Sequence, residues 1–435
     1  MKILGIETSC DETAAAVVCD GCEILSNVVV SQIDIFAEYG GVIPEVAARS
    51  HLEVMMPVVE KALLDAGCSW DDIDAIAVTH APGLLGSLLI GTLTARTLAI
   101  LHDKPLYAVH HLKSHVYANW LNAGRADAKP ISSDAGLEFL STSYAGARAE
   151  PSLRDEPVRS GRNIRVKNSN QTFMHPREIG LAARTPSFPI LALVVSGGHT
   201  QILYMPAHNQ FEIIGTTHDD AVGECFDKVA KILGLSYPGG PAIAKAALSG
   251  DANKYRLPHP KVEGLDFSFS GLKTAVLRAV QKEVGVPISY PSHQLKDLLT
   301  EQQVCDFAAS FQKTAVEILR EKLELALEQY PEVQSVVVAG GVSANEELKK
   351  TLMLRLGPRR SRPSPRGERA NPRAAALRNA PSQSINIFFP APSLSGDNGA
   401  MVAAACYYEI QSGVEPTDPY RLNIYPRVAI GSQAP

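Results

Sequence analysis

Tryptophan, cysteine and positive charge are all in short supply in this chain, and each shortage narrows what it can be. Two Trp and seven Cys are spread through 435 residues. The scattered, odd-numbered cysteines exclude a disulfide-stapled scaffold and point to reducing surroundings. The 32 Gly and 29 Pro follow no period, and 45% hydrophobic with 20% charged residues excludes a collagen-like or disordered chain. Lys plus Arg total 41 against 46 Asp plus Glu, a formal charge of −5. No global positive field therefore draws the protein to nucleic acid or membrane, and a polyanion must be met by a local patch or a partner. Long hydrophobic runs are missing too, since Gly83 to Leu101 is broken by Gly86, Gly91, Thr94 and Arg96 and reads as a buried helix. Met1 leads straight into the strand-like MKILGIE with no basic and apolar leader, so a soluble cytoplasmic protein is expected.

What is present is a repeated pattern in a chain long enough for two cores. KILGIE, AAAVVC and EILSNVVV are short strand-like runs, followed by helical spacing over Pro44 to Ala66, the strand-like IDAIAVTHAPG and a helix over Leu84 to Leu101. Downstream, PILALVVSGGHTQILYM and FEIIG repeat strand, turn, strand, strand; helical segments and VQSVVVAGGVSAN follow. The chain reads as an internally duplicated α/β protein whose two turns would meet at one cleft, where backbone N–H groups can hold a phosphate.

Four clusters carry the candidate chemistry. The run Glu7 to Thr13 is a dense polar set after an apolar strand, in which Ser9 can bond a phosphate or carboxylate and Asp11 can orient a metal, a water or an amine. Alone, it is equally a solvent-exposed turn. After the apolar strand that ends in Val194-Val195, the run Ser196-Gly197-Gly198-His199-Thr200 makes a turn whose backbone can approach an anion, although a hairpin needing positive φ would look the same. The stretch Ala339 to Asn345 repeats that logic before a helix, with Asn345 able to read ribose or base. His111 and His115 stand four apart, so on a helix both imidazoles face one cation. Asp397, in SGDNG, is the best third ligand, though a plain helix cap explains it as well. Two His and one carboxylate suit one divalent metal, Fe(2+) or Zn(2+). Asp227 and Gly240 stand where they can grip ribose hydroxyls, although acids at a helix start need no ligand. Lys273 is a minor candidate for offsetting phosphate charge.

Two segments interrupt the rhythm. Residues 122–187 are Arg-rich with few apolar runs, and 357–383 holds seven Arg and five Pro against one acid. Both read as insertions, the second a solvated loop that could otherwise touch RNA phosphates. Cys19-Asp20-Gly21-Cys22 has redox spacing, but Asp-Gly marks a hairpin turn and nothing completes a zinc site.

The order of GIETSCDET, APGLLGSLLIG, VHHLKSH, LVVSGGHTQ, CFDKVAKILGLSYPGGP, LDFSFSGLKT, AGGVSAN and SGDNGAM resembles the bacterial tRNA N6-adenosine threonylcarbamoyltransferase family over most of the chain outside the two insertions. The resemblance implies the duplicated actin-like, Hsp70-like, sugar-kinase-like fold of two domains around a nucleotide cleft. It divides the chain into 1–121 with 397–435, an insertion over 122–187, and 188–396. It implies transfer of threonylcarbamoyl from threonylcarbamoyl-adenylate to N6 of the adenosine 3′ of a tRNA anticodon, with release of AMP. His111, His115 and Asp397 then resemble the metal ligands; Val194 to Gly198, Asp227, Gly240 and Asn345 the adenylate-binding set; and Asp11 a carboxylate that assists transfer. His110 is beside the pair but not a ligand. The implied partners are tRNA, a smaller paralogous subunit of the same fold and a P-loop ATPase subunit, with no membrane.

Other classes compete. A small-molecule kinase of this fold has no use for HxxxH. A metalloprotease needs a general base beside its cation, where Leu112 stands. A non-catalytic module would be expected to have lost some ligands, and none is missing.

Overall fold

The computed structural model describes residues 1–37, 39–121, 185–357 and 385–431, together with a short strand at 165–167. The insertions expected over 122–187 and 357–383 lie almost wholly outside the described residues. Two sheets organise the rest. The first runs β5-β4-β1-β2-β3-β6, from β1 (Lys2–Glu7), β2 (Glu12–Cys19), β3 (Glu23–Ser31), β4 (Ala75–Ala81), β5 (Leu106–His110) and β6 (Arg165–Lys167). The second runs β11-β10-β7-β8-β9, from β7 (Ile190–Val195), β8 (Thr200–Met205), β9 (Glu212–Thr216), β10 (Ser335–Ala339) and β11 (Asn386–Phe388). In each, the first strand pairs antiparallel with the second and the second with the third. Parallel strands then extend the other edge. The repeated strand patterns of the sequence thus become the same pairing order twice.

Strands such as ILALVV in β7 are continuously apolar because both faces of each sheet are covered. The helices are α1 (Ile33–Ala37), α2 (Pro44–Ala66), α3 (Leu85–Leu101), α4 (His111–Tyr117), α5 (Val222–Ile232), α6 (Gly239–Ala247), α7 (Ser270–Glu283), α8 (Glu301–Gln329), α9 (Glu346–Arg355) and α10 (Gly399–Gln411). Alternate residues along a strand enter different cores. Leu4 and Ile6 of β1 pack with Met55 and Val58 of α2 and Leu98 of α3. Leu191 and Leu193 of β7 pack with Phe226 of α5 and Phe311 of α8. The intervening strand residues, Ile3 from one sheet and Ala192 and Val194 from the other, meet in a shared core with Val116 of α4 and Met401 of α10. Helices α4 and α10 therefore lie between the sheets, which is what brings a histidine pair and a distant carboxylate toward each other.

That placement depends on two glycines. Where α10 crosses β1, a Cβ on Gly5 would stand 2.2 Å from the carbonyl oxygen of Gly399. One on Gly399 would stand 2.6 Å from the backbone nitrogen of Ala16. Asp20 and Gly21 take φ of 49° and 68°, so the Cys19 to Cys22 spacing belongs to a hairpin turn between β2 and β3, and both cysteines are free.

Gly399→Ala should force α10 off β1 and lower stability by about 1–3 kcal/mol, read as a lower denaturant midpoint at an unchanged slope. An unchanged midpoint would show that the approach is not tight.

Candidate metal and nucleotide site

The polar run after β1 is not a solvent-exposed turn, because Glu7, Thr8, Ser9 and Asp11 are all buried. Two helices hold it. From α3 and the turn before it, Leu84 donates its backbone N–H to the carbonyl of Ser9 at 2.8 Å, and the Ser87 hydroxyl donates to the carbonyl of Cys10 at 3.2 Å. From α2, buried His51 bonds the same Cys10 carbonyl through Nε2 at 3.0 Å, while its Nδ1 meets the Thr13 hydroxyl at 2.7 Å. The turn therefore presents Asp11 to the cleft from a fixed backbone.

Helix α4 starts where β5 ends, and His110 caps it: its Nδ1 accepts from the Leu112 N–H at 3.2 Å and its Nε2 donates to the carbonyl of Val428 at 3.1 Å. Burial pushes His110 down to about 3, so it stays neutral. The four-residue spacing then stacks His111 and His115 edge to face, ring centroids 4.6 Å apart. Asp397, in the turn before α10, brings Oδ1 to 3.1 Å from Nε2 of His115 and 3.6 Å from Nε2 of His111. One ligand atom from each residue lies within 4.8 Å of the others. Nδ1 of His115, a residue 1% exposed, lacks a hydrogen bond, and its Nε2 faces only the Asp397 carboxylate. Buried nitrogens are rarely left so. A donor set of two imidazoles and one carboxylate with an orphaned ring fits a divalent cation.

The electrostatics agree. Burial opposes charge on His111, but Asp397 and Glu7 outweigh it and push the imidazole up to about 9. For Asp397, burial opposes ionisation, yet the two imidazoles, with His111 foremost, pull it down to about 2. His199 points toward the same cluster from the second sheet and is held down at about 4 by burial and by both histidines.

The cluster opens into a cleft of about 1630 Å³ lined from both sides. Ser196, Gly197 and Gly198 form its far turn, closed by a Ser196 N–H to His199 carbonyl bond at 2.9 Å. Neither glycine has positive φ, and a Cβ on either would meet open space, so they bare the backbone to the cleft. Val194 and Val195 are buried in the cores at the end of β7 and support that turn from beneath. Gly340 does need its φ of 87°, since a Cβ there would press 2.5 Å from the carbonyl oxygen of Val195. Asn345 lines the cleft but also caps α9, accepting from the Leu348 N–H at 3.0 Å and donating to Gln312 at 2.9 Å. Asp227 accepts the Gly239 N–H at 2.7 Å beside Gly240, and burial and the nearby Asp11 raise it. Lys273 instead faces Asp220 at 3.7 Å and is absent from the lining.

Sequence reasoning passed over several residues of the site and its walls. Glu7 stood in the polar run without a role, and His199 closes a motif whose glycines drew the attention. Pro426 to Ala429, which wall the cleft, had no motif to flag them.

An α/β protein that gathers a His-His-Asp cluster and bare glycine turns in one cleft offers donors suited to a cation beside exposed backbone suited to an anion. The chain belongs to the tRNA N6-adenosine threonylcarbamoyltransferase family, whose sequence profile matches residues 23–134 and 170–404. The unmatched 135–169 falls inside the expected first insertion, while the match runs through 357–383. A relative of that name in Symbiobacterium thermophilum is 40% identical over 430 residues, covering 99% of this chain and 97% of its own. Another in Thermomicrobium roseum is 39% identical over 422 residues, covering 95% and 93%. HypF of T.kodakarensis, a solved structure, aligns over 95% of this chain and 48% of its own at 14% identity and a TM-score of 0.48, too low to weigh. Family membership makes this chain an acyltransferase. No helix among the described residues is long and apolar enough to cross a membrane.

His51 supplies a pH prediction. Burial lowers its pKa, so the fold keeps it neutral while the unfolded chain protonates it near 6.5. Its contribution is complete above about pH 6.5 and is lost as pH falls through that value. His51→Gln should therefore lose less stability than wild type between about pH 7.5 and about pH 5, measured by denaturant unfolding at both. Equal losses would remove His51 as a source of acid sensitivity.

Proposed function

We propose that this chain transfers the threonylcarbamoyl group from threonylcarbamoyl-adenylate to N6 of the adenosine 3′ of a tRNA anticodon, releasing AMP. The observation that carries this reading is the convergence of His111, His115 and Asp397 on the cleft that Asp11 enters from one sheet and Ser196 to Gly198 from the other. The N6 amine attacks the carbamoyl carbon, the bond from that carbon to the adenylate phosphate oxygen breaks, and the amine loses one proton. An exocyclic adenine amine is a weak nucleophile, so the site must hold the carbonyl close to it and receive that proton.

In this reading His111, His115 and Asp397 hold Fe(2+) or Zn(2+). When bound, such a cation supplies Lewis-acid polarisation and a grip on the threonyl part. The bare backbone of Gly197 and Gly198 receives the phosphate, Asp227 and Gly240 the ribose, and Asn345 the base edge, while Val194 and Val195 stiffen the turn. Asp11, fixed by the bonds that α2 and α3 make to its turn, takes or orients the amine proton. Because the donor is already an activated anhydride, the transfer itself needs no ATP hydrolysis.

The wider assignments follow from the same reading. The repeated pairing order supports the duplicated actin-like, Hsp70-like, sugar-kinase-like fold, divided as 1–121 with 397–435 and 188–396. Exposed Lys231, Lys245 and Arg427 line the cleft and supply a local positive patch for tRNA, which net charge does not. Leu52 and Met56 of α2 with Leu85, Leu89 and Leu93 of α3 are exposed along two packed helices. A paralogue of the same fold would offer the like pair of helices in return. A P-loop ATPase subunit and a cytoplasmic setting complete the proposal.

Incubation with threonylcarbamoyl-adenylate and unmodified tRNA, with and without the partner subunits, followed by nucleoside mass analysis should show the modified adenosine. No product under any of these conditions would refute the reading. His111→Ala with His115→Ala should abolish metal retention, read by elemental analysis, and transfer, while the fold persists. Asp11→Ala should slow transfer by about 10²–10⁴-fold while adenylate affinity changes far less. Equal loss of both would make Asp11 a structural residue.

A further inference from the structure

We propose that Glu7 is a positioning residue for the metal site: it holds His111 in the tautomer that leaves Nε2 free for a cation. The inference rests on the reading of His111 as a ligand and goes beyond it, because Glu7 belongs to no ligand or substrate set.

Glu7 ends β1 and is fully buried, although an ionised carboxylate in the interior is costly unless its oxygens are satisfied. They are. Oε1 accepts the backbone N–H of Ser9 at 2.5 Å, and Oε2 accepts the hydroxyl of Thr79, from β4, at 2.6 Å. Oε2 also lies 3.2 Å from Nδ1 of His111, which the Ser9 hydroxyl approaches at 3.2 Å as well; the hydroxyl can give or take a hydrogen bond, whereas the carboxylate can only accept. The carboxylate is thus pinned from two strand ends before it meets the imidazole. Nδ1, facing an anion, carries the proton, and the opposite nitrogen is the one 3.6 Å from Asp397 Oδ1. A ring that donates through one nitrogen to a carboxylate is fixed in orientation and offers a more basic lone pair at the other.

His115 provides the internal contrast. Its Nδ1 is buried with no hydrogen bond, so no group behind that ring fixes its tautomer. The two imidazoles of the HxxxH pair are therefore unequal. His111 is the preset ligand, and Glu7 is the reason.

Zn(2+) affinity, measured by competition with a chromophoric chelator on the full chain, tests this in wild type, Glu7→Gln, His111→Ala and the double variant. Glu7→Gln should weaken binding by about 10–100-fold. It should cost nothing further once His111 is Ala, because it acts through that ring. Nitrogen-15 NMR of the metal-free proteins, recorded at a pH where His111 is neutral, should show its proton on Nδ1 in wild type and a mixed tautomer in Glu7→Gln. Unchanged affinity in Glu7→Gln, or an added loss in the double variant, would overturn the inference. Unchanged affinity in His111→Ala would instead overturn the metal reading beneath it. Should Glu7→Gln not fold, Thr79→Val removes one pin of the carboxylate at nearly constant size and should weaken Zn(2+) binding in the same direction. No weakening there would sink the idea equally.

Discussion

A single carboxylate group, Asp397, sits 3.1 Å from one imidazole and 3.6 Å from another, both supplied by a distant helix of the chain, and the cleft is arranged around that meeting. The contact requires α4 and α10 to lie side by side between two sheets, each helix beginning at the same end of the layer. Burial works against the charge on Asp397, and the two histidines, His111 foremost, pull its carboxyl down to about 2. A buried carboxylate of this kind persists only if its partners are held in place, since an unpaired buried charge costs several kcal/mol.

The holding is done by backbone approach as much as by side chains. Gly5 and Gly399 let α10 settle on β1, and Gly340 lets the strand end of β10 pass beside Val195. On the opposite wall, Gly197 and Gly198 are bare for another reason: nothing fills the space a side chain would occupy. The same residue type thus serves packing at one position and access at another. The C-terminal stretch through Val428 adds a third wall and ties it to His110, so the helix cap of α4 and the rim of the cleft are one hydrogen-bonded unit.

Much of this was legible beforehand. Short apolar strand runs and a helix spanning Pro44–Ala66 were readable because local pattern and burial agree in both. The HxxxH pair was readable because spacing on a helix is a local property. The GG turn after β7 was ambiguous: a hairpin with positive φ and a bare anion cradle share a sequence, and only the backbone angles separate them. Glu7 and His51 gave no signal at all, since a buried carboxylate and a buried imidazole acquire meaning from partners 104 and 38 residues away.

The amino-acid order by itself determined the elements, the repeated strand pairing and the family, because each is encoded in neighbours along the chain or in short ordered motifs. Tertiary structure alone decided that Asp397 is a partner of the histidines while Asn398 caps α10 by accepting the Met401 N–H, that the polar run of residues 7–11 faces inward, and that His111 and His115 are differently supported. Those outcomes depend on distances of a few ångströms between segments far apart in sequence. Charge and hydrogen bonding act through space, and no local pattern records which groups the packing of two sheets and the helices between them will bring together.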